Sequence, residues 1–282
     1  MLRLTIRLAT CAAALLMAVA PVAEACTRAV YLGPEDRVLT GRSMDWKLPM
    51  ASNLWVFPRG MERDGAAGDR SATWTSRYGS LAMTGYDIAT ADGMNEAGLN
   101  VSPLWEVEAT YPEDDGITPT ISLSVFPQYL LDRQLAIREY WEGVNPREFM
   151  PGTVRATDRF VRASFYINAV EQTADPRRTA AAVFSVIRQT SVPWGISIAD
   201  QPSLSTTRWR IVADQTDRRY YVESILSPSV FWVDRDKLDF AAGTGVLKLD
   251  LGVDIEHVLS GEASASFVQS EPFAFQQADQ GN

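Results

Sequence analysis

Ala23-Glu24-Ala25-Cys26-Thr27-Arg28-Ala29-Val30-Tyr31-Leu32 joins the end of an export signal to the start of a β-strand. Upstream, Arg3 and Arg7 form a positive n-region and residues 12–20 an unbroken apolar run. Ala23-Glu24-Ala25 is a small-x-small cleavage site, so a cut after Ala25 would make Cys26 the first mature residue. Of the two cysteines, Cys11 would leave with the signal. The exported chain would then carry one thiol and no internal disulfide, although oxidising compartments favour paired cysteines. Nucleophilic catalysis is the strongest reason to place a lone thiol on a new N-terminus. Two other readings stand beside it. Lipidation also puts a cysteine directly after a cut, but Glu24 fits a lipoprotein signal poorly. A merely buried small cysteine ignores the coincidence with the cleavage site.

Beyond this junction, residues 26–282 have the length for one large domain, and no Ser/Gly/Pro linker divides them. The net charge is −9, or about −10 once the signal is removed. Such a surface repels phosphate backbones and anionic lipid, which argues against nucleic-acid and inner-leaflet partners. The apolar run falls short of the roughly 20 residues of a spanning helix, and no later segment qualifies. The expected location is periplasmic or secreted.

Residues 27–32 alternate, Gly33-Pro34-Glu35-Asp36 breaks them, and residues 37–46 return, which predicts an N-terminal hairpin. Residues 53–58 and 80–86 are further strand candidates, and Asp92-Gly93 and Glu96-Ala97-Gly98 are turn signals. A helix is expected over 119–131 after Pro119, with others over 133–141 and 177–189. Residues 208–214, 219–224 and 230–233 read as a β-meander, and the tail after Pro272 is expected to fray. Strands on both sides of a helical middle predict α+β layers.

An N-terminal cysteine suits a chain with one histidine. Its own α-amine, with a pKa of about 8, can take the thiol proton near neutral pH. A neighbouring guanidinium would favour the thiolate, and a carboxylate could orient the amine. Arg42 and Asp45 on the second strand are candidates for these tasks. Their spacing places them on opposite faces of a regular strand, so a bend or strand end is needed to turn both inward. On spacing alone, a solvated ion pair is the preferred reading.

Cys26-Thr27, Gly41-Arg42-Ser43-Met44-Asp45-Trp46, Asp92-Gly93-Met94-Asn95-Glu96-Ala97-Gly98-Leu99 and Asp158-Arg159-Phe160-Val161-Arg162-Ala163, in this order, resemble the choloylglycine hydrolase family of bile-salt hydrolases and penicillin V acylases. The resemblance covers Cys26 to about Asp132 and resumes to roughly Phe275. It implies an N-terminal-nucleophile amidohydrolase with an αββα sandwich that cleaves linear amides through an acyl-enzyme. By the same resemblance Cys26 is the nucleophile and its amine the base. Arg42 and Asp45 polarise and orient them, and Arg159 is a second active-site arginine. Trp46 and Trp105 resemble the exported Gram-negative branch, whose members act on penicillin V and in some cases on N-acyl homoserine lactones. There the two indoles would flank an aryl or acyl group; without the resemblance either tryptophan reads as core packing. The implied partner is a small-molecule acyl amide. A homo-oligomer stays open, since the family's tetramers rest partly on segments not found here.

One departure bears on activity. The family has a Thr-Asn-x-Pro segment whose asparagine completes the oxyanion hole, ahead of a helix resembling Asp132-Arg133-Gln134-Leu135-Ala136-Ile137. Here Gln128-Tyr129-Leu130-Leu131 runs straight into Asp132, and no asparagine lies between Asn100 and Asn145. A middle stretch that includes sheet strands is expected to be missing, which leaves a catalytically weakened binder of acyl amides as an alternative. His257 beside Glu256 reads as a surface histidine rather than a partner of Cys26. Glu106, Glu108, Glu113, Asp114 and Asp115 lack the ordered spacing of a calcium loop. No Cys/His cluster for zinc and no Gly-rich phosphate fingerprint occurs, so no metal or cofactor is expected.

Overall fold

The computed structural model describes residues 26–104, 117–134, 154–196, 205–253 and 255–278. β1 (Thr27–Leu32) and β2 (Val38–Trp46) form the expected antiparallel hairpin, with Thr27 opposite Ser43 and Leu32 opposite Val38. β3 (Leu54–Phe57), β4 (Glu62–Asp64), β5 (Thr73–Thr75), β6 (Ser80–Gly85), β7 (Ala89–Asn95) and β8 (Asn100–Val101) follow. Next come helices α1 (Phe126–Arg133), α2 (Ala156–Ala169) and α3 (Pro176–Gln189). The last strands are β9 (Thr206–Asp214), β10 (Arg219–Ser224), β11 (Val230–Asp234), β12 (Val246–Leu249), β13 (Gly261–Glu262) and β14 (Val268–Ser270).

Two six-stranded sheets, ordered β1-β2-β9-β10-β11-β13 and β14-β12-β3-β6-β7-β8, face one another. Met44, Leu54, Val56, Leu81, Met83, Trp209, Ile211, Val222 and Phe231 fill the space between them. Strand alternation sends the other set outward: Tyr31, Leu39 and Val212 meet Val183, Phe184 and Ile187 of α3. Both faces of β2 and β9 are therefore covered, and β9 is buried along its whole length. α3 starts cleanly, with Asp175 accepting from Arg178 N at 2.8 Å and Pro176 in the first turn. It crosses β2 at Gly41, where a Cβ would stand 2.6 Å from both Ile187 and Val183. α1 lies on the outer face of the second sheet against β7 and β8. The layers run helix, sheet, sheet, helix, an α+β sandwich.

Four expectations change. Asp92-Gly93 is the middle of β7 rather than a turn. Gly93 is small because α1 packs there, a Cβ meeting Leu131 Cδ1 at 2.7 Å. The turn is at Gly98, whose φ of 94° needs glycine. The helix expected from Pro119 begins at Phe126, because Thr120 instead bridges to Ser71. Pro127 sits in its first turn, where a missing N–H costs no helix bond. Gln134 at φ 57° closes that helix, so none starts at Arg133; residues 135–141 lie outside the described residues. The tail past Pro272 does not fray over its described length. Phe273 packs edge-on to Trp55 with ring centroids 5.1 Å apart, and Ala278 N donates to Ala66 O at 2.7 Å.

Candidate active site around Cys26

Cys26 immediately precedes β1, half-buried at the edge of the inter-sheet core. Because Thr27 pairs with Ser43, the alternation of β2 decides what each side of Cys26 meets. Arg42, Met44 and Trp46 share the inter-sheet face with the thiol. Arg42 Nη2 lies 3.7 Å from Cys26 Sγ, and Met44 Sδ lies 3.8 Å from it. Arg42 is 1 % exposed, so the aim of its guanidinium is set by fixed partners rather than by solvent. Nη1 donates to Ala91 O at 2.5 Å and Nη2 to Pro103 O at 3.0 Å, while the group stacks over Trp209 at 5.0 Å.

The Asp45 carboxylate is on the opposite face, so the expected inward turn of both side chains does not occur. A β-bulge does fall here, the register stepping from Met44 opposite Trp209 to Asp45 opposite Thr207. Its extra residue is Arg208 in β9, which leaves the alternation of β2 intact. Asp45 is instead buried, accepting from Ser43 Oγ at 3.1 Å, from Thr207 Oγ1 at 2.5 Å and from Arg159 Nη1. Arg159 reaches down from α2 and also donates to Thr27 Oγ1 at 3.1 Å. The solvated Arg42–Asp45 pair preferred on spacing alone does not form; Asp45 pairs instead with Arg159, with side chains 1 % and 2 % exposed. The backbone carbonyl of Asp45 faces Cys26 Sγ at 3.9 Å. Cys26 is approached by Arg42 from one face of the hairpin, while the Asp45–Arg159 pair lies beside Thr27 on the other.

Trp46 is half-buried beside this cluster and donates from Nε1 to Tyr86 Oη at 2.9 Å. Trp105 and the acidic stretch 106–115 lie outside the described residues. His257 is exposed and near Asp250, its Nδ1 3.2 Å from the Asp250 carbonyl oxygen, with no contact to Cys26. Among the described residues no group of three or more His, Cys, Asp and Glu is placed to hold a metal. No helix among them is long and apolar enough to cross a membrane.

Sequence reasoning missed the polar cluster behind Arg42. Asp92 is buried and accepts from Tyr220 Oη at 2.5 Å, Ser102 Oγ at 2.5 Å and Asn100 Nδ2 at 3.2 Å. Burial pushes its carboxyl up from the ordinary value, against the downward pull of Arg42. Burial also pushes the Tyr220 phenol well up, and the Asp92 charge adds to that, so Tyr220 stays a proton donor. Ser43 was findable, since it lies two residues from Asp45 on one strand face; Thr207 carried no signal of its own.

The profile of the "Linear amide C-N hydrolases, choloylglycine hydrolase family" matches residues 26–145 and 145–247. The chain is 33% identical over 348 residues to a penicillin V acylase of Pectobacterium atrosepticum, covering 90% of this chain and 93% of that protein. A structure of penicillin V acylase from Agrobacterium tumefaciens superposes with a TM-score of 0.80 at 41% identity, over 89% of this chain and 99% of that one. A conjugated bile acid hydrolase from Clostridium perfringens superposes at 0.62 with 14% identity, over 84% and 98%, which is a likeness of fold alone.

Proposed function

The chain belongs to the choloylglycine hydrolase family of linear amide C–N hydrolases, and from that premise we propose an exported acylase of the penicillin V type whose nucleophile is Cys26. The observation that carries this reading is the 3.7 Å approach of the buried Arg42 guanidinium to Cys26 Sγ. Removal of residues 1–25 in the periplasm frees the α-amine of Cys26. The amine takes the thiol proton, and Arg42 stabilises the thiolate. The sulfur attacks the amide carbon, and the tetrahedral adduct collapses as the ammonium returns its proton to the leaving amine. Water, deprotonated by the same amine, then cleaves the thioester and restores the thiol. Asp45, locked by Arg159, Thr207 and Ser43, holds the amine from the face opposite Arg42. Trp46, braced by Tyr86, flanks a hydrophobic acyl group. Penicillin V is the first substrate to try, ahead of N-acyl homoserine lactones and bile conjugates, because both acylase relatives carry that name.

Cys26→Ser should lower penicillin V turnover by at least about 10³-fold with an unchanged melting curve. Full activity in that variant, or in a precursor with a residue still attached before Cys26, removes the mechanism. A second reading, a weakened relative that binds acyl amides, is favoured by alignment length. The 348 aligned positions exceed the roughly 254 residues that 90% of this chain supplies. Tight ligand retention without product release selects it.

A further inference from the structure

Among the described residues Arg42 makes no direct hydrogen bond to a carboxylate; its guanidinium is aimed at Cys26 by two backbone carbonyls from separate segments, Ala91 O in β7 and Pro103 O just beyond β8. Each of these carbonyls is one residue from a member of the same hydrogen bond. Asp92 follows Ala91, Ser102 precedes Pro103, and Ser102 Oγ donates to Asp92 Oδ2 at 2.5 Å. The other carboxylate oxygen is fixed by Tyr220 Oη at 2.5 Å, reaching across from β10 in the facing sheet, and by Asn100 Nδ2 at 3.2 Å. Asn100 in turn accepts from Arg28 Nη2 at 3.3 Å, and Arg28 is the cross-strand neighbour of Arg42.

We propose that Asp92 is a positioning residue for the reaction assigned above: by gripping Ser102 it clasps β7 to the segment after β8, so that two carbonyls hold Arg42 against the Cys26 thiol. The inference rests on Cys26 being the nucleophile, but it is tested on the thiol itself, without turnover. β8 is only two residues long, and it pairs with β7 at just Gly93↔Val101 and Met94↔Asn100. The ladder ends at Val101, and the Asp92–Ser102 bond continues the link from β7 to the residue before Pro103. The groups that bear on Cys26 from the packed elements are Arg42 and Asp45 on β2, Arg28 on β1, Asp92 on β7, Tyr220 on β10 and Arg159 on α2.

The sign of the effect separates a clasp from a simple counter-charge. Removing a negative charge with nothing else moved would favour the thiolate, whereas releasing Arg42 would disfavour it. The measurement is the pH profile of Cys26 alkylation by iodoacetamide, in the full chain carrying Cys11→Ala so that one thiol reacts. Ser102→Ala and Asp92→Ala should each move the profile's midpoint up by about 1 pH unit. Asp92→Asn keeps an oxygen for Tyr220 and offers its amide to Ser102 Oγ, so its midpoint should stay at or below that of the parent. An unmoved midpoint in Ser102→Ala overturns the proposal, as does a fall in Asp92→Ala matching that in Asp92→Asn. Ser102→Ala leaves the buried charges in place and carries the test if Asp92→Ala does not fold. Activity surviving in Cys26→Ser would sink the nucleophile assignment instead, a separate result from either alkylation outcome.

Discussion

Asp45 makes the sharpest case at the scale of the residue. Its carboxylate is 1 % exposed and meets Arg159, itself 2 % exposed, with Thr207 and Ser43 completing its partners. Two charges withdrawn from water gain little net stability as a pair, yet removing one member is expensive because the other stays buried. Asp45→Ala should therefore destabilise the protein by about 3–5 kcal/mol, read from the shift in urea unfolding midpoint. A loss below about 1 kcal/mol would show that Arg159 is satisfied without this carboxylate. The same pair shows how far a linear reading reaches. Arg42, Asp45 and Arg159 were all identifiable from their motifs, but their faces were not. The bulge that would have turned Asp45 inward falls on β9, more than 160 residues away in sequence. Asp92 lies within the Asp92–Leu99 motif, but its role is invisible in one dimension because its partners Ser102 and Tyr220 are joined to it only by folding.

The turn between β6 and β7 illustrates the element scale. Tyr86 and Asp87 both lie in the left-handed region, at φ 55° and 51°, and Tyr86 braces Trp46 beside the thiol. Such a conformation is costly for tyrosine and persists only where neighbours enforce it. Asp87 does the enforcing. One oxygen accepts from Thr84 Oγ1 at 2.5 Å and Trp55 Nε1 at 2.8 Å, the other from Asn53 Nδ2 at 2.8 Å and Lys248 Nζ at 3.0 Å. Burial pushes this carboxyl up, but the four donors together outweigh it and hold the group below its ordinary value. With a folded value below the unfolded one, the stabilisation is complete above about pH 3.9 and is lost as pH falls through the folded value. Asp87→Asn cannot accept on both sides, so at pH 7 it should cost about 1–2 kcal/mol, solvent screening included. The gap between the two melting curves should then close toward pH 3. A gap independent of pH would show that the Asp87 charge does not hold the turn. The existence of most elements was legible because strands alternate and α3 repeats its apolar residues every three or four positions. Asp92-Gly93 misled because a glycine that admits a helix looks, in one dimension, like a glycine that makes a turn.

At the scale of the whole molecule, the question is what holds the sandwich together across the join between the two stretches that the family profile matches. The two matched stretches of the family profile meet at residue 145. The pairings that join one side of this junction to the other are central ones: β2 with β9 along eight registered positions, and β3 with β12 along three. β1 and β8 instead stand at the ends of their sheets. A stretch absent near this junction would leave both of these central pairings in place. Catalysis is a different matter. The Agrobacterium acylase and this chain share the frame at a TM-score of 0.80, but this chain has no asparagine between Asn100 and Asn145. Loss of one oxyanion donor lowers turnover by about 10²–10³ while leaving substrate binding largely alone. If the oxyanion asparagine implied by the family resemblance has no counterpart here, kcat on penicillin V should fall below that of the Agrobacterium acylase by that factor, with KM within about tenfold. Equal kcat values would mean that another N–H, the backbone amide of Trp105 being the first to test, supplies the missing hydrogen bond.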